Sequence, residues 1–262
     1  MTTISGKTDP VVRPVSFGDV AEALIAGLRD FQAEPLYGIA LGAIYCVAGV
    51  AIVLSVTTLG MSYLAYPLAA GFALIGPFVA TGFYEISRKR ETGEAASFGD
   101  IWHAMTSRSE IGWMAFVTLF VFIMWMYQAR FLMALFFGLN ASFTSLSQFV
   151  AVVLGTNEGL IFLLVGNAVG AILALVLFSL TVVSFPLLLD RDVDCVTAMI
   201  TSVRAVVRSP WPLIAWAGLI VVLLVVSALP LFLGLIVVLP VLGHASWHLY
   251  RRIIVPASSC AG

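Results

Sequence analysis

Ser16–Glu34 reads SFGDVAEALIAGLRDFQAE and, after Pro35, Leu36–Leu59 reads LYGIALGAIYCVAGVAIVLSVTTL. In the first stretch Val20, Leu24, Leu28 and Phe31 recur at helical spacing, and Asp19, Glu22, Arg29, Asp30 and Gln32 take the opposite face. That pattern predicts an amphipathic helix at a membrane interface. Ser16 and Asp19 form a capping-box variant that satisfies free amides at the helix start. The second stretch carries no charge, and at 1.5 Å per residue it is long enough to cross roughly 30 Å of hydrocarbon.

The same pair of segments recurs. Asp19, Ala23 and Leu24 align without gaps on Asp100, Ala104 and Met105, and again on Asp194, Ala198 and Met199. Arg29 and Pro35 return at the same offsets as Arg204 and Pro210, and Pro77, Tyr84 and Arg88 as Pro240, Trp247 and Arg251. A repeat of this size implies one supersecondary unit used three times. The expected fold is an all-α membrane protein with six transmembrane helices, arranged as three parallel repeats of cytoplasmic amphipathic helix plus transmembrane hairpin. The spans fall at about 36–59, 63–86, 111–137, 160–189, 211–229 and 231–250 within a single membrane domain, 16–252. Residues 1–15 and 253–262 are expected to be cytoplasmic tails, the first disordered and without a cleavable leader. A Gly60-Met61-Ser62 turn and a short outer helix over Ser147–Leu154 complete the outline.

Composition agrees with a bilayer as solvent. Apolar residues make up 61% and charged residues 10%, against about a quarter charged in soluble domains. The net charge of −1 gives no footprint for nucleic acid. Cys46, Cys195 and Cys260 show neither a disulfide framework nor zinc-ligand spacing. Of the 13 Lys/Arg, Arg130 alone falls outside the termini and the two long polar loops. The positive-inside rule therefore places both termini in the cytoplasm, in a multi-pass membrane protein.

Candidate site residues are few. His244 and His248 share a helix face one turn apart and could ligate a metal or a haem. No third or fourth ligand accompanies them, because the only other histidine is His103. An interfacial hydrogen-bonding role is the alternative. Arg130, with Glu158 as the one outer acid, either lines a path as an ion pair or snorkels to headgroups. Gly38 with Gly42, and Gly166 with Gly170 around Asn167, are close-packing motifs, with Asn167 expected to hydrogen-bond a neighbouring helix. Asp19, Asp100 and Asp194, with Arg29 and Arg204, are the repeat signature. No phosphate loop, dinucleotide fingerprint or metalloprotease motif is present.

WMAFVTLFVFIMWMYQAR (113–130), LFSLTVVSFPLLLDRDVDCVTAMITSV (177–203) and LPVLGHASWHLYRR (239–252) resemble an uncharacterised family of bacterial integral inner-membrane proteins, a domain of unknown function, over nearly all of Ser16–Arg252. Some members carry the label cytochrome c oxidase subunit I. That catalytic subunit holds haem and copper through more histidines than the three found here, so none of its site residues map onto this chain. No cofactor is expected. The bilayer is the expected partner, together with a membrane-protein partner or a second copy. The expected role is a non-catalytic accessory, assembly or scaffold component; the alternatives are a transporter or channel for a small solute and, following the family label, a cytochrome c oxidase-related subunit.

Overall fold

The computed structural model describes residues 10–58, 65–106, 109–139 and 146–255, and these form eleven helices. The Gly60-Met61-Ser62 turn and residues 1–9 and 256–262 lie outside them. The chain divides into two units, Met1–Met114 with Ser179–Gly262, and Ala115–Phe178.

In the first unit, α1 (Phe17–Ala33) runs into α2 (Pro35–Thr57) through a one-residue break at Glu34. A second amphipathic helix, α9 (Cys195–Arg208), runs into α10 (Pro210–Ala228) through Ser209. The two breaks have nearly the same backbone, φ/ψ −127/57 at Glu34 and −139/62 at Ser209. In both cases proline follows as the first helical residue, where its missing N–H costs nothing. A short α4 (Phe98–Thr106) follows α3 (Ala65–Thr92). Ser16/Asp19 and Ser97/Asp100 cap α1 and α4 through the same set of bonds. Asp194 differs: it is itself the N-cap of α9, accepting from Thr197 N–H, so the third helix starts one turn later than its aligned partners. Ala23, Ala104 and Ala198 nevertheless all point inward.

Several expected boundaries move. The second span was expected to stop at Ile86, yet α3 continues to Thr92, because Ser87, Arg90 and Glu91 find partners on other helices. The fourth span is interrupted: α7 (Asn157–Thr181) gives way at Val182–Val183 to α8 (Ser184–Asp190). Pro186 has no N–H for the carbonyl of Val182, which ends the ladder there, while Val183 N–H is taken by Ser202 Oγ. The sixth span begins later than expected, as α11 (Leu235–Ile253), after a turn in which Leu231 and Phe232 hold positive φ of 51° and 64°. Gly234 permits that turn, since a methyl there would fall 2.7 Å from Ser227 Cα.

Four helical segments are long and apolar enough to cross a membrane: Pro35–Ser55, Ser109–Phe137, Asn157–Asp190 and Pro210–Ala228. Helices α3 and α11, whose C-terminal halves hold charged side chains, are not among them. Six spans therefore remain a reading of the sequence, with four met by length and composition.

The amphipathic α1, expected as an interfacial helix, packs lengthwise on α11. Arg252 meets Asp19 and Glu22 at one end, Gly27 meets Ala245 in the middle, and Phe31 and Pro240 both border Gly38 of α2 at the other. Residues 10–15, expected as a disordered tail, are held beside α11: Val12 bridges Ile254, Arg13 N–H donates to Ile253, and Val15 N–H donates to Ser209 Oγ. The N-terminal segment thus supplies a partner for the last turn of α11, whose carbonyls would otherwise be free.

In the second unit, α5 (Ser109–Phe137) and α7 meet through Phe136, Phe137 and Phe162, with ring centroids 5.1–6.0 Å apart. Between them comes α6 (Leu146–Gly155), on the stretch expected to be a short outer helix.

Candidate functional site

The most connected group of polar side chains is buried where α1, α3 and α11 converge. Two glycines make the convergence possible. A methyl on Gly27 of α1 would lie 2.5 Å from the Ala245 backbone, and one on Gly243 of α11 would lie 2.5 Å from the Phe83 ring of α3. Only a bare backbone lets the helices approach so closely, and at that separation short side chains reach one another.

Asp30 is the centre. It lies on the same face of α1 as Val20, Ala23 and Gly27, and like them it is buried. Its Oδ2 accepts from Ser87 Oγ at 2.6 Å and from His248 Nε2 at 2.8 Å, and its Oδ1 from Arg90 Nε at 3.0 Å. Ser87 Oγ also lies 2.8 Å from His244 Nδ1. One hydroxyl proton cannot serve both neighbours. Because an ionised carboxylate only accepts, Ser87 donates to Asp30, and His244 donates its Nδ1–H to Ser87. The chain of donors therefore runs His244 → Ser87 → Asp30 ← His248. This fixes the His244 tautomer and leaves its Nε2 as an acceptor, buried and without a hydrogen-bond partner among the described residues. Burial pushes the Asp30 carboxyl up, but the hydrogen bonds from His248 and Ser87 outweigh it and hold it below the usual carboxylate range.

Around this centre the C-terminal part of α11 is also tied to α3 and α8. Glu91 accepts from Trp247 Nε1 at 3.1 Å, pairs with Arg251 at 3.1 Å and lies 3.9 Å from His248 Nδ1. Asp190 of α8 accepts from Tyr250 OH at 2.6 Å. Lys89 and Ser97 hold the Asp100 carboxyl down at about 2, which fastens α4 to the end of α3.

Serine, histidine and aspartate in contact invite comparison with a hydrolytic triad. The geometry does not support one. Ser87 and His244 are both 0% exposed, so no acyl group could approach, and the hydroxyl proton is committed to the carboxylate rather than to a general base. Among the described residues no group of three or more His, Cys, Asp or Glu is placed to hold a metal. His244 and His248, the weak metal candidates, direct Nδ1 and Nε2 to Ser87 and Asp30. The arrangement is a docking joint for α1.

The other candidates lie elsewhere. Gly38 and Gly42 are where α2 meets its neighbours: a methyl on Gly42 would lie 2.6 Å from the Ile236 backbone. Gly166 and Gly170 face Leu132 and Trp125 at 4.0 and 3.8 Å, ordinary contact with room for a methyl. Asn167 does not reach another helix. It is exposed and donates to Leu163 O in its own helix at 2.8 Å, the local solution open to an amide on an apolar helix. Arg130 and Glu158 are both exposed, and no ion pair joins them among the described residues. Arg29 and Arg204 are exposed.

Sequence reasoning missed Asp30, Ser87 and Arg90. Asp30 had been assigned to the outward polar face of α1, because the large apolar residues were taken as the inward one. The inward face is instead the one with small residues, Ala23 and Gly27, four apart. That spacing, with an acid three residues on, was the available signal.

Residues 65–190 match the model of a family described as predicted integral membrane protein (DUF2189). The match is narrower than the resemblance expected over Ser16–Arg252, and it takes in Ser87 and Arg90 but not Asp30, His244 or His248. No curated protein and no solved structure matches the chain.

Proposed function

We propose that this chain is a six-span protein of the bacterial inner membrane, with both termini in the cytoplasm, acting as a non-catalytic accessory or scaffold component of a membrane complex. The observation that carries the reading is the exposure of the α5–α7 hairpin. In the most apolar 18-residue windows of Ser109–Phe137 and Asn157–Asp190, 6% and 0% of residues are buried, against 28% for Pro35–Ser55. Phe116, Phe120, Tyr127 and Phe131 of α5 and Leu160 and Leu164 of α7 are all more than half exposed. Lipid can cover one side of such a helix, but two helices with almost no buried residues in their apolar windows leave surface for another membrane helix.

A photo-crosslinking amino acid at Phe120 or Leu164, activated in intact membranes, tests this. One discrete protein adduct, either a second copy or a partner, is expected. Labelling confined to lipid at both positions sinks the scaffold reading.

A further inference from the structure

Helix α9 is apolar on the side away from its own buried face. Ala198, Ser202 and Ala205 point inward, while Val196, Ile200, Val203 and Val207 form an exposed stripe. Two grooves run beside this stripe. One, of about 570 Å³, lies between the pinned N-terminal segment and α9, lined by Pro10, Val12, Val203, Val207, Arg204 and Arg208. The other, of about 330 Å³, is lined by Leu180, Val196, Met199 and Ile200 and shares Val203 and Arg204 with the first. The grooves thus meet at an arginine. Arg208, one turn further on, makes no hydrogen bond or ion pair among the described residues. No acid lies between Cys195 and Arg208, and one residue later the chain enters the apolar α10.

We infer that α9 is a binding site for one anionic phospholipid, its phosphate between Arg204 and Arg208 and its acyl chains in the two grooves. Each element of the site matches a part of the ligand. Two apolar clefts suit two chains. The arginines present planar donors to a phosphate oxygen. The junction with α10 sets them at the depth where headgroups sit if Pro210–Ala228 spans the bilayer. The proposal rests on that reading of α10, and not on the scaffold role.

The test is native mass spectrometry of the intact chain released from nanodiscs that contain phosphatidylglycerol and phosphatidylethanolamine with identical acyl chains. The unaltered protein should retain one phosphatidylglycerol in preference. R204Q and R208Q should each lower that retention about fivefold, the effect of one basic side chain near an anionic headgroup, with phosphatidylethanolamine unaffected. R204K/R208K, which keeps both charges, should retain the lipid, and R29Q, on another helix, should behave as the unaltered protein. Should the glutamine variants not fold, salt decides the matter on the unaltered protein: raising it must weaken phosphatidylglycerol retention selectively. Undiminished retention in R204Q/R208Q, equal loss of both lipids, or insensitivity to salt overturns the proposal. Topology is read by separate cysteine labelling, so a misplaced α10 and a missing lipid site give different results.

Discussion

Replacing Asp30 by asparagine keeps the volume and one acceptor but removes the charge on which three donors converge. Ser87 and His248 lose charge-assisted bonds of 2.6 and 2.8 Å, each typically worth ~1.5–3 kcal/mol. Arg90, whose side chain is 35% exposed, adds at most about 1 kcal/mol after solvent screening. One amide proton of asparagine must also face a donor. Together these give a loss of about 3 kcal/mol, at the lower end of the ~3–5 kcal/mol seen when one partner of a buried ion pair is removed. Thermal unfolding in mild detergent should then fall by on the order of 10 °C for a chain of this size. The pH dependence supplies a second check. The folded carboxyl lies below its ordinary value of 3.8, so its stabilisation is fully present above that value and is lost as pH falls through the folded pKa. The gap between the unaltered chain and D30N should therefore be constant from neutral pH down to about 4 and close below it. A shift under 2 °C at neutral pH, or a gap that persists in acid, refutes the assignment of Asp30 as the ionised centre of the joint.

Gly27→Ala would gain about 1 kcal/mol of helix propensity on an open helix. Here the new methyl lies 2.5 Å from Ala245, so overpacking of ~1–3 kcal/mol should win, and a raised melting temperature would show that α1 and α11 are not in contact. Cysteine at Ser145 should react with an impermeant thiol reagent in intact cells and cysteine at Ser97 should not; the reverse labelling inverts the topology. Purified protein should be colourless, because His244 and His248 lie one turn apart on the same helix and cannot ligate both faces of one haem; a Soret band lost in His244→Ala would overturn that.

Much of the architecture was legible because the bilayer leaves few alternatives. Long uncharged stretches such as Leu36–Leu59 and Trp211–Leu229 must be helices, and α2 and α10 begin and end within two residues of those bounds. The third stretch was equally plain, whereas the fourth breaks between α7 and α8. Where reading failed, side chains had two competing uses. Ser87-Arg88-Lys89-Arg90 looked like a stop at the water boundary, yet its helix continues because Asp30 takes Ser87 and Arg90 and Asp100 takes Lys89. The amphipathic Ser16–Glu34 was correct as a helix and mistaken as to its buried face. Periodicity weighs apolar bulk, whereas helix contact here depends on the lack of bulk at Ala23 and Gly27. His244 and His248 were read as hydrogen-bonding or ligating residues, but their partners are 157 and 218 positions distant in sequence, beyond what spacing can show.

The offsets at which the sequence aligns on itself relate the joint to a second hydroxyl–carboxylate contact among the described residues. At the offset that carries Pro77, Tyr84 and Arg88 onto Pro240, Trp247 and Arg251, Ser87 falls on Tyr250. Both side chains donate a hydroxyl to a carboxylate at 2.6 Å, Ser87 to Asp30 and Tyr250 to Asp190. The position is thus a hydroxyl anchor in both hairpins, while the acids come from different elements, α1 in one case and α8 in the other. At the offset that carries Arg29 onto Arg204, Asp30 falls on Ala205, which is buried. Helix α9 therefore has no acid at the equivalent position, and a longer reach, tyrosine in place of serine, meets an acid further away. A buried charge adds little net stability compared with an apolar contact of the same shape. It does favour this register, since sliding α1 along α11 would part Asp30 from Ser87 and Arg90 of α3 as well as from His248. Asp30 thus ties α1, and not α9, to the polar group between α3 and α11.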